Sequence, residues 1–375
     1  MTTISILLGA IAIYFTIYRL IDWRRLRNIP GPTIAGWTDA WLLRHVISGR
    51  LCTKLTDICN QYGPLVRIGP NWVVCGDPFE IQKIWGIRSG YSRAEWYKAT
   101  RLNPEDDNVL TTLDNKAHHR LRALLAPAYA AKGMKDQERV VDEQIENLIN
   151  LIERRYISSE SILKRCNLSR VMQYLTQDII TAVGFGKATG YLEADEDFLG
   201  VLETCEKLLA PAHIIMFLPK VRRILESRFL GPLIPKPKGN RGIGGLLNLI
   251  RSHVDTRYGD AKTQKNDMLQ SFVESGLRRP QVEAESLVTL FGGTDTTSTA
   301  LRMTIFFLST NVQALHRLQR EVDAEVDNAA RPVITDSHVK TLPYLQACIR
   351  EGMRLWPQAW LCFQKFLTKI KSSAI

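Results

Sequence analysis

No two of the seven cysteines stand in Cys-x-x-Cys spacing. A zinc ribbon and a thioredoxin-type redox site are therefore excluded, and so few cysteines in 375 residues build no disulfide scaffold. Reduced thiols fit a protein facing the cytosol. Zinc-finger, RNA-recognition and helix-turn-helix signatures are absent, which makes nucleic acid the least supported partner. Acid is the scarcer charge, 38 residues against 49 basic ones, giving a formal net charge of +11. Such an excess suits an anionic membrane surface or an acidic protein partner. Internal repeats are also lacking. What is plentiful is apolar: hydrophobic residues make up 45% and charged residues 23%, the composition of a globular chain and not of a disordered one.

Residues 2–18 carry no charge and are rich in Ile, Leu and Ala. With Leu20 and Ile21 the run is long enough to span a bilayer, so residues 1–21 are expected to form a transmembrane anchor. Arg19, Arg24, Arg25 and Arg27 follow it, which places the body of the protein on the cytosolic side. A cleaved signal peptide would need a basic leading region and a small-residue cleavage site, and neither is present. Residues 22–36 read as a basic, proline-rich hinge. In Ile29-Pro30-Gly31-Pro32 the two prolines cannot continue a helix. The segment is a stiff turn or a hinge that sets the body at an angle to the membrane.

Further along, residues 51–62 have helical apolar spacing at Leu51, Leu55 and Ile58. Residues 65–68 and 72–75, separated by Gly69-Pro70-Asn71, read as a β-hairpin. Asp77-Pro78 opens another helix. From about residue 115 the pattern is almost wholly helical. The interruption is 231–245, where three prolines and five glycines predict an exposed flexible loop. The fold class is therefore mainly α with a small N-terminal β-sheet.

Three short constellations carry candidate chemistry. The first is Phe291-Gly-Gly-Thr-Asp-Thr-Thr297, inside a helix expected over residues 282–311. Two glycines in a helix interior cost roughly 1 kcal/mol each relative to Ala, a cost tolerated where something lies close against the backbone. Threonine hydroxyls bond to the preceding turn and can open a helix locally. Asp295 beside Thr296 in such a place suits proton relay. The plain alternative is a helix–helix crossing with a solvated Asp295. The second constellation is Glu351-Gly-Met-Arg354, whose ends share a helix face and can pair, as many exposed pairs do without consequence. The third places His118 and Arg122 one helical turn apart, a face that suits an anionic group or is simply a solvated basic surface.

In this order, with the anchor and the Pro-Gly-Pro hinge, these motifs resemble the haem-thiolate monooxygenases of the cytochrome P450 superfamily. Gly292-Gly-Thr-Asp-Thr-Thr297 is similar to the family's oxygen-activation stretch. Glu351-Gly-Met-Arg354 is similar to its Glu-x-x-Arg pair, and Leu342-Pro-Tyr-Leu-Gln-Ala-Cys-Ile-Arg350 to the lead-in. Tyr62-Gly-Pro-Leu-Val-Arg-Ile-Gly-Pro-Asn71 resembles the fungal microsomal branch. The resemblance implies a haem cofactor, a membrane-bound NADPH-dependent reductase as partner, and a location in the endoplasmic reticulum membrane. The implied substrate is a small apolar molecule, such as a fungal secondary metabolite. It further implies that Gly292 and Gly293 let the haem approach, that Asp295 and Thr296 deliver protons, and that His118 and Arg122 hold propionates. Glu351 and Arg354 would be structural.

The resemblance covers the chain to about Pro357, so 37–357 is expected to be the cytochrome P450 domain and 358–375 a tail apart from it. The family's iron ligand is a cysteine in a glycine-bearing loop. Cys362 has no glycine around it and follows Arg354 by only eight residues. The chain as it stands is thus expected to be a truncated, inactive monooxygenase without a metal ligand. The alternative is a haem-free, membrane-anchored pseudo-enzyme or interaction protein.

Overall fold

A computed structural model describes residues 2–86, 89–101, 106–130, 136–230, 239–258, 265–326, 333–357 and 365–367. In chain order the elements begin with α1 (Thr2–Arg25), α2 (Ala40–Ile47), α3 (Leu51–Tyr62), β1 (Leu65–Gly69), β2 (Trp72–Cys75), α4 (Pro78–Trp85) and β3 (Tyr91–Arg93). Helices then dominate: α5 (Asn115–Tyr129), α6 (Gln137–Arg155), α7 (Leu168–Phe185), α8 (Tyr191–Ala194), α9 (Val201–Met216), α10 (Pro219–Leu225), α11 (Gly242–Tyr258) and α12 (Met268–Glu274). The chain continues through α13 (Arg279–Ser309), α14 (Val312–Val326), α15 (Asp336–Val339), α16 (Pro343–Leu355) and β4 (Lys365–Leu367). It divides into two compact units, one of residues 1–99, 209–231 and 362–375, the other of 100–208 and 232–361.

In the first unit the hairpin expected from the sequence forms, with Leu65 opposite Cys75 and Val66 opposite Val74. Its organising side chain is Arg67. The guanidinium is buried and donates to the carbonyl oxygens of Asp22, Trp23, Gly69 and Pro70 at 2.8–3.2 Å. Asn71 donates to the Asp22 carboxylate at 3.1 Å, and Trp23 stacks on Trp37 with ring centroids 5.4 Å apart. The Arg67 amide donates to Pro30 O, and a Cβ on Gly31 would collide with the Arg67 carbonyl. The hinge is therefore fastened to the hairpin through backbone carbonyls.

This docking bears on the expected anchor. Helix α1 runs on to Arg25, taking Arg19, Asp22 and Arg24 into its last two turns, and these turns pack on β1. Among the described residues no helix is long and apolar enough to cross a membrane, so the structure does not support a transmembrane anchor at 1–21. One strand lies within the tail. β4, within residues 358–375, pairs antiparallel with β3, setting Arg93 opposite Lys365 and Tyr91 opposite Leu367. Residues 365–367 thus form, with β3, a second two-stranded sheet in the first unit.

The second unit is built around α13, which packs on α7, α11, α12, α14 and α16. Leu246, Ile250, Leu269, Phe272, Val282, Leu287 and Leu290 form its main core. A second cluster gathers Leu151, Val171, Leu175, Tyr191 and Leu192 between α6, α7 and α8. The buried carboxylate of Asp178 receives the amides of Gly190, Tyr191 and Leu192 at 2.8–3.1 Å, which fixes the turn after α7. The loop expected at 231–245 is shorter than that: α11 begins at Gly242, and Gly242, Ile243, Gly244 and Gly245 are buried. A Cβ on Gly245 would lie 2.5 Å from the Asn240 carbonyl, so glycine here permits tight packing of a helix start. Residues 231–238 lie outside the described residues.

Candidate functional site

Pro280 in the first turn sets the φ that starts α13, and the Gln281 side chain accepts from the Arg278 amide at 3.1 Å. Residues 282–290 are surrounded by protein almost without a break. At Gly292 the environment changes. Gly292, Asp295, Thr296 and Thr297 are exposed, whereas Thr294, Ser298 and Thr299 on the other side stay buried. One helix face opens, three to four residues per turn, as the motif passes.

The two glycines separate on this geometry. A Cβ at Gly292 would meet no atom within 4 Å. A Cβ at Gly293 would stand 2.6 Å from the Ile180 side chain on α7. Gly293 thus permits the crossing of α13 over α7, while Gly292 borders the open face. Thr294 also faces α7: its hydroxyl bonds the Gln177 side chain, and Thr176 donates to the Thr294 carbonyl at 2.9 Å. The Thr296 hydroxyl donates to Gly292 O, and α13 remains a continuous α-helix through the motif, so no local opening occurs. From α9, the thiol of Cys205 is pushed up to about 12 by burial and by the nearby Asp295 carboxylate. Among the six described cysteines Cys166 is exposed and the other five are half-buried, Cys205 against the main core, and none of the six is in a disulfide.

On α5, Asp114 caps the N-terminus by accepting from the Ala117 amide at 2.7 Å. His118 and Arg122 follow one turn apart, but His118 is buried while Arg122 is exposed. The structure joins α5 to α13 through Tyr129, whose hydroxyl lies 2.9 Å from Thr289 Oγ1. Arg122 and Thr296 each stand two turns from that junction along their own helices. The Thr289 hydroxyl donates to Glu285 O, so Tyr129 is the donor across the gap. On α16, Arg354 forks onto Glu351 through two hydrogen bonds of 2.6 and 2.7 Å, both side chains exposed. A Cβ on Gly352 would collide with Thr304, so this glycine lets α16 lie against α13.

Sequence reasoning missed Tyr129, Thr289 and Glu285. Thr289 and Glu285 precede the motif at helical spacing, a signal that was available; Tyr129 gave none, because its partner is 160 residues away.

A mainly helical scaffold organised on one long helix, with a polar, glycine-bordered opening at its middle and a Glu-x-x-Arg helix against it, is that of a haem-dependent oxygenase. The profile of the family Cytochrome P450 matches residues 31–370, and the chain belongs to that family. It is 34% identical over 365 residues to the cytochrome P450 monooxygenase ABA1 of Pyricularia oryzae, covering 94% of this chain and 71% of that one. It is 35% identical to the cytochrome P450 monooxygenase abl1 of Leptosphaeria maculans, covering 92% and 63%, and 34% identical to aba1 of Botryotinia fuckeliana, covering 91% and 68%. The chain therefore spans roughly two thirds of the length of these relatives. The family match continues to residue 370, beyond Pro357 where the sequence resemblance ended.

Haem is the cofactor of this family. The described residues fit one side of a flat ring: Gly292 leaves the space a Cβ would fill, beside the exposed Asp295 and Thr296. Among the described residues no cluster of His, Cys, Asp and Glu could hold a metal ion, and Cys362 lies outside them.

Proposed function

We propose that this chain carries the substrate and oxygen side of a monooxygenase that oxidises a small apolar molecule of fungal secondary metabolism, with electrons from an NADPH-dependent reductase. The observation that carries the reading is the open face at Gly292, Asp295 and Thr296 in the middle of an otherwise enclosed helix. Haem, when bound, supplies the oxygen-activating chemistry. Gly292 gives a flat group access to the helix backbone. Asp295, exposed on the same face, is the proton source from solvent. Thr296, whose hydroxyl rests on Gly292 O, presents oxygen lone pairs that accept a proton; rotation of the hydroxyl away from that carbonyl lets it pass its own proton on as it accepts one. Arg122 offers a planar fork to a propionate carboxylate, and the buried His118 supports that turn of α5. Glu351 and Arg354 fix each other on α16 and take no part in proton movement.

Attachment of residues 1–21 to the endoplasmic reticulum membrane belongs to the same proposal, supported by the uncharged run and the arginines after it.

The test is made in enzyme carrying its cysteine ligand. Thr296→Ala is expected to keep haem and substrate spectra while product per NADPH falls at least about tenfold, within the range general acid–base groups contribute. Asp295→Asn is expected to slow NADPH consumption itself. Unchanged product per NADPH in Thr296→Ala would remove the proton-relay assignment.

A further inference from the structure

Glu285 lies fully buried on α13, with no exposed surface. Its Oε1 accepts from the amide of Val109 at 2.7 Å, and its Oε2 is buried with no hydrogen-bond partner among the described residues. A charged carboxylate so placed would lack the two or three donors that ordinarily sustain one. A neutral acid fits: one oxygen accepts the amide, and the other carries the proton. On the helix, Glu285, Thr289, Gly292 and Thr296 follow at i, i+4, i+7 and i+11 and so share a face.

Val109 belongs to the segment 106–114, which ends at Asp114, the cap of α5. That segment is a compact turn, in which Asn108 Oδ1 accepts from the amides of Leu110 and Thr111. Glu285 fastens this turn to α13, and the Tyr129–Thr289 bond fastens the far end of α5 to the same helix. We propose that Glu285 is a proton-operated latch: neutral, it holds the 106–114 turn and the start of α5 against the ligand-bearing helix; ionised, it releases them.

Among the described residues, no ion pair or hydrogen bond brings a compensating charge to Glu285. Tyr129 on α5 is a titratable group that feels the Glu285 charge, and the buried His118 lies on the same helix. On the latched segment, Asp106 is paired with Arg278 and Asp107 with Arg101. From α11, Arg251 reaches Glu283, as does Arg279 from the first turn of α13 itself. Before α12, Asp267 is paired with Arg257, and on α7 Asp178 is satisfied by backbone amides. Burial accordingly pushes the Glu285 carboxyl up to about 7, against which the Val109 amide pulls only partly. The sign follows. The released carboxyl ionises at its ordinary 4.5, the latched one at about 7. Latching is fully favourable below the first value, is lost as pH rises between the two, and is flat above the second. The full window corresponds to a change on the order of a hundredfold in the latching equilibrium. The latch is a property of the polypeptide and goes beyond the proposed reaction.

Hydrogen–deuterium exchange of the full chain tests this, with rates corrected for intrinsic pH dependence. Protection of the peptide containing Val109 is expected to fall at least about tenfold from about pH 5 to about pH 7, then level off. In Glu285→Gln, whose amide oxygen still accepts from Val109, protection is expected to be independent of pH across that window. Should that variant not fold, the wild-type profile decides alone, with peptides of α7 as internal reference. Constant protection at Val109, a fall shared equally by α7, or the same fall in Glu285→Gln would each overturn the latch.

Discussion

The two adjacent glycines of α13 occupy different environments, and a single methyl group tells them apart. Gly293→Ala places its Cβ against Ile180, in a crossing already close-packed, and is expected to destabilise the second unit by about 1–3 kcal/mol. Gly292→Ala meets open space and gains helix propensity, so it is expected to be neutral or to stabilise by up to ~1 kcal/mol. Chemical denaturation of both variants checks the pair; equal destabilisation would contradict the assignment. The motif was legible in the sequence as a place where a helix is approached closely. Which glycine faces a helix and which faces outward was not, because spacing alone does not fix the rotation of α13 about its axis. His118 and Arg122 show the same limit: one helical turn apart, they differ in burial because only one edge of α5 meets the core.

Among elements, local pattern was enough for α3, the β1–β2 hairpin, α4 and α13, since capping, alternation and helical periodicity act within a few residues. It failed at 231–245, where glycines that look like loop formers allow the buried start of α11. It failed also for β4, whose partner is remote. The hinge shows how a polar side chain can organise an element junction. Arg67 satisfies four carbonyls with one planar fork, so Arg67→Lys cannot replace it. Arg67→Lys and Arg67→Met are both expected to loosen residues 22–36 and raise their cleavage by trypsin or chymotrypsin several-fold, the buried acceptors being left unpaired at about 1–3 kcal/mol each. Limited proteolysis followed by N-terminal sequencing reads the effect. By contrast Arg354→Ala, which breaks an exposed pair, is expected to leave the denaturation midpoint unchanged within error.

For the molecule entire, the net charge of +11 predicts a salt-dependent affinity for anionic surfaces. Deleting residues 1–28 is expected to move the protein from the membrane pellet toward the supernatant. Residual binding to anionic vesicles should weaken as ionic strength rises, which co-sedimentation measures; a pellet fraction unchanged by the deletion would refute attachment through this segment. The pairing of β3 with β4 has a consequence for how the chain is made. These strands stand roughly 270 residues apart in sequence. On the ribosome, at about 5–20 residues per second, β3 emerges tens of seconds before its partner exists. Throughout that interval it is a strand with an unpaired edge, the kind of surface on which nascent chains stick to one another. The β1–β2 hairpin can close early, but the β3–β4 sheet cannot form until nearly the whole chain has been made, which leaves β3 an unpaired edge that chaperones must shield during translation.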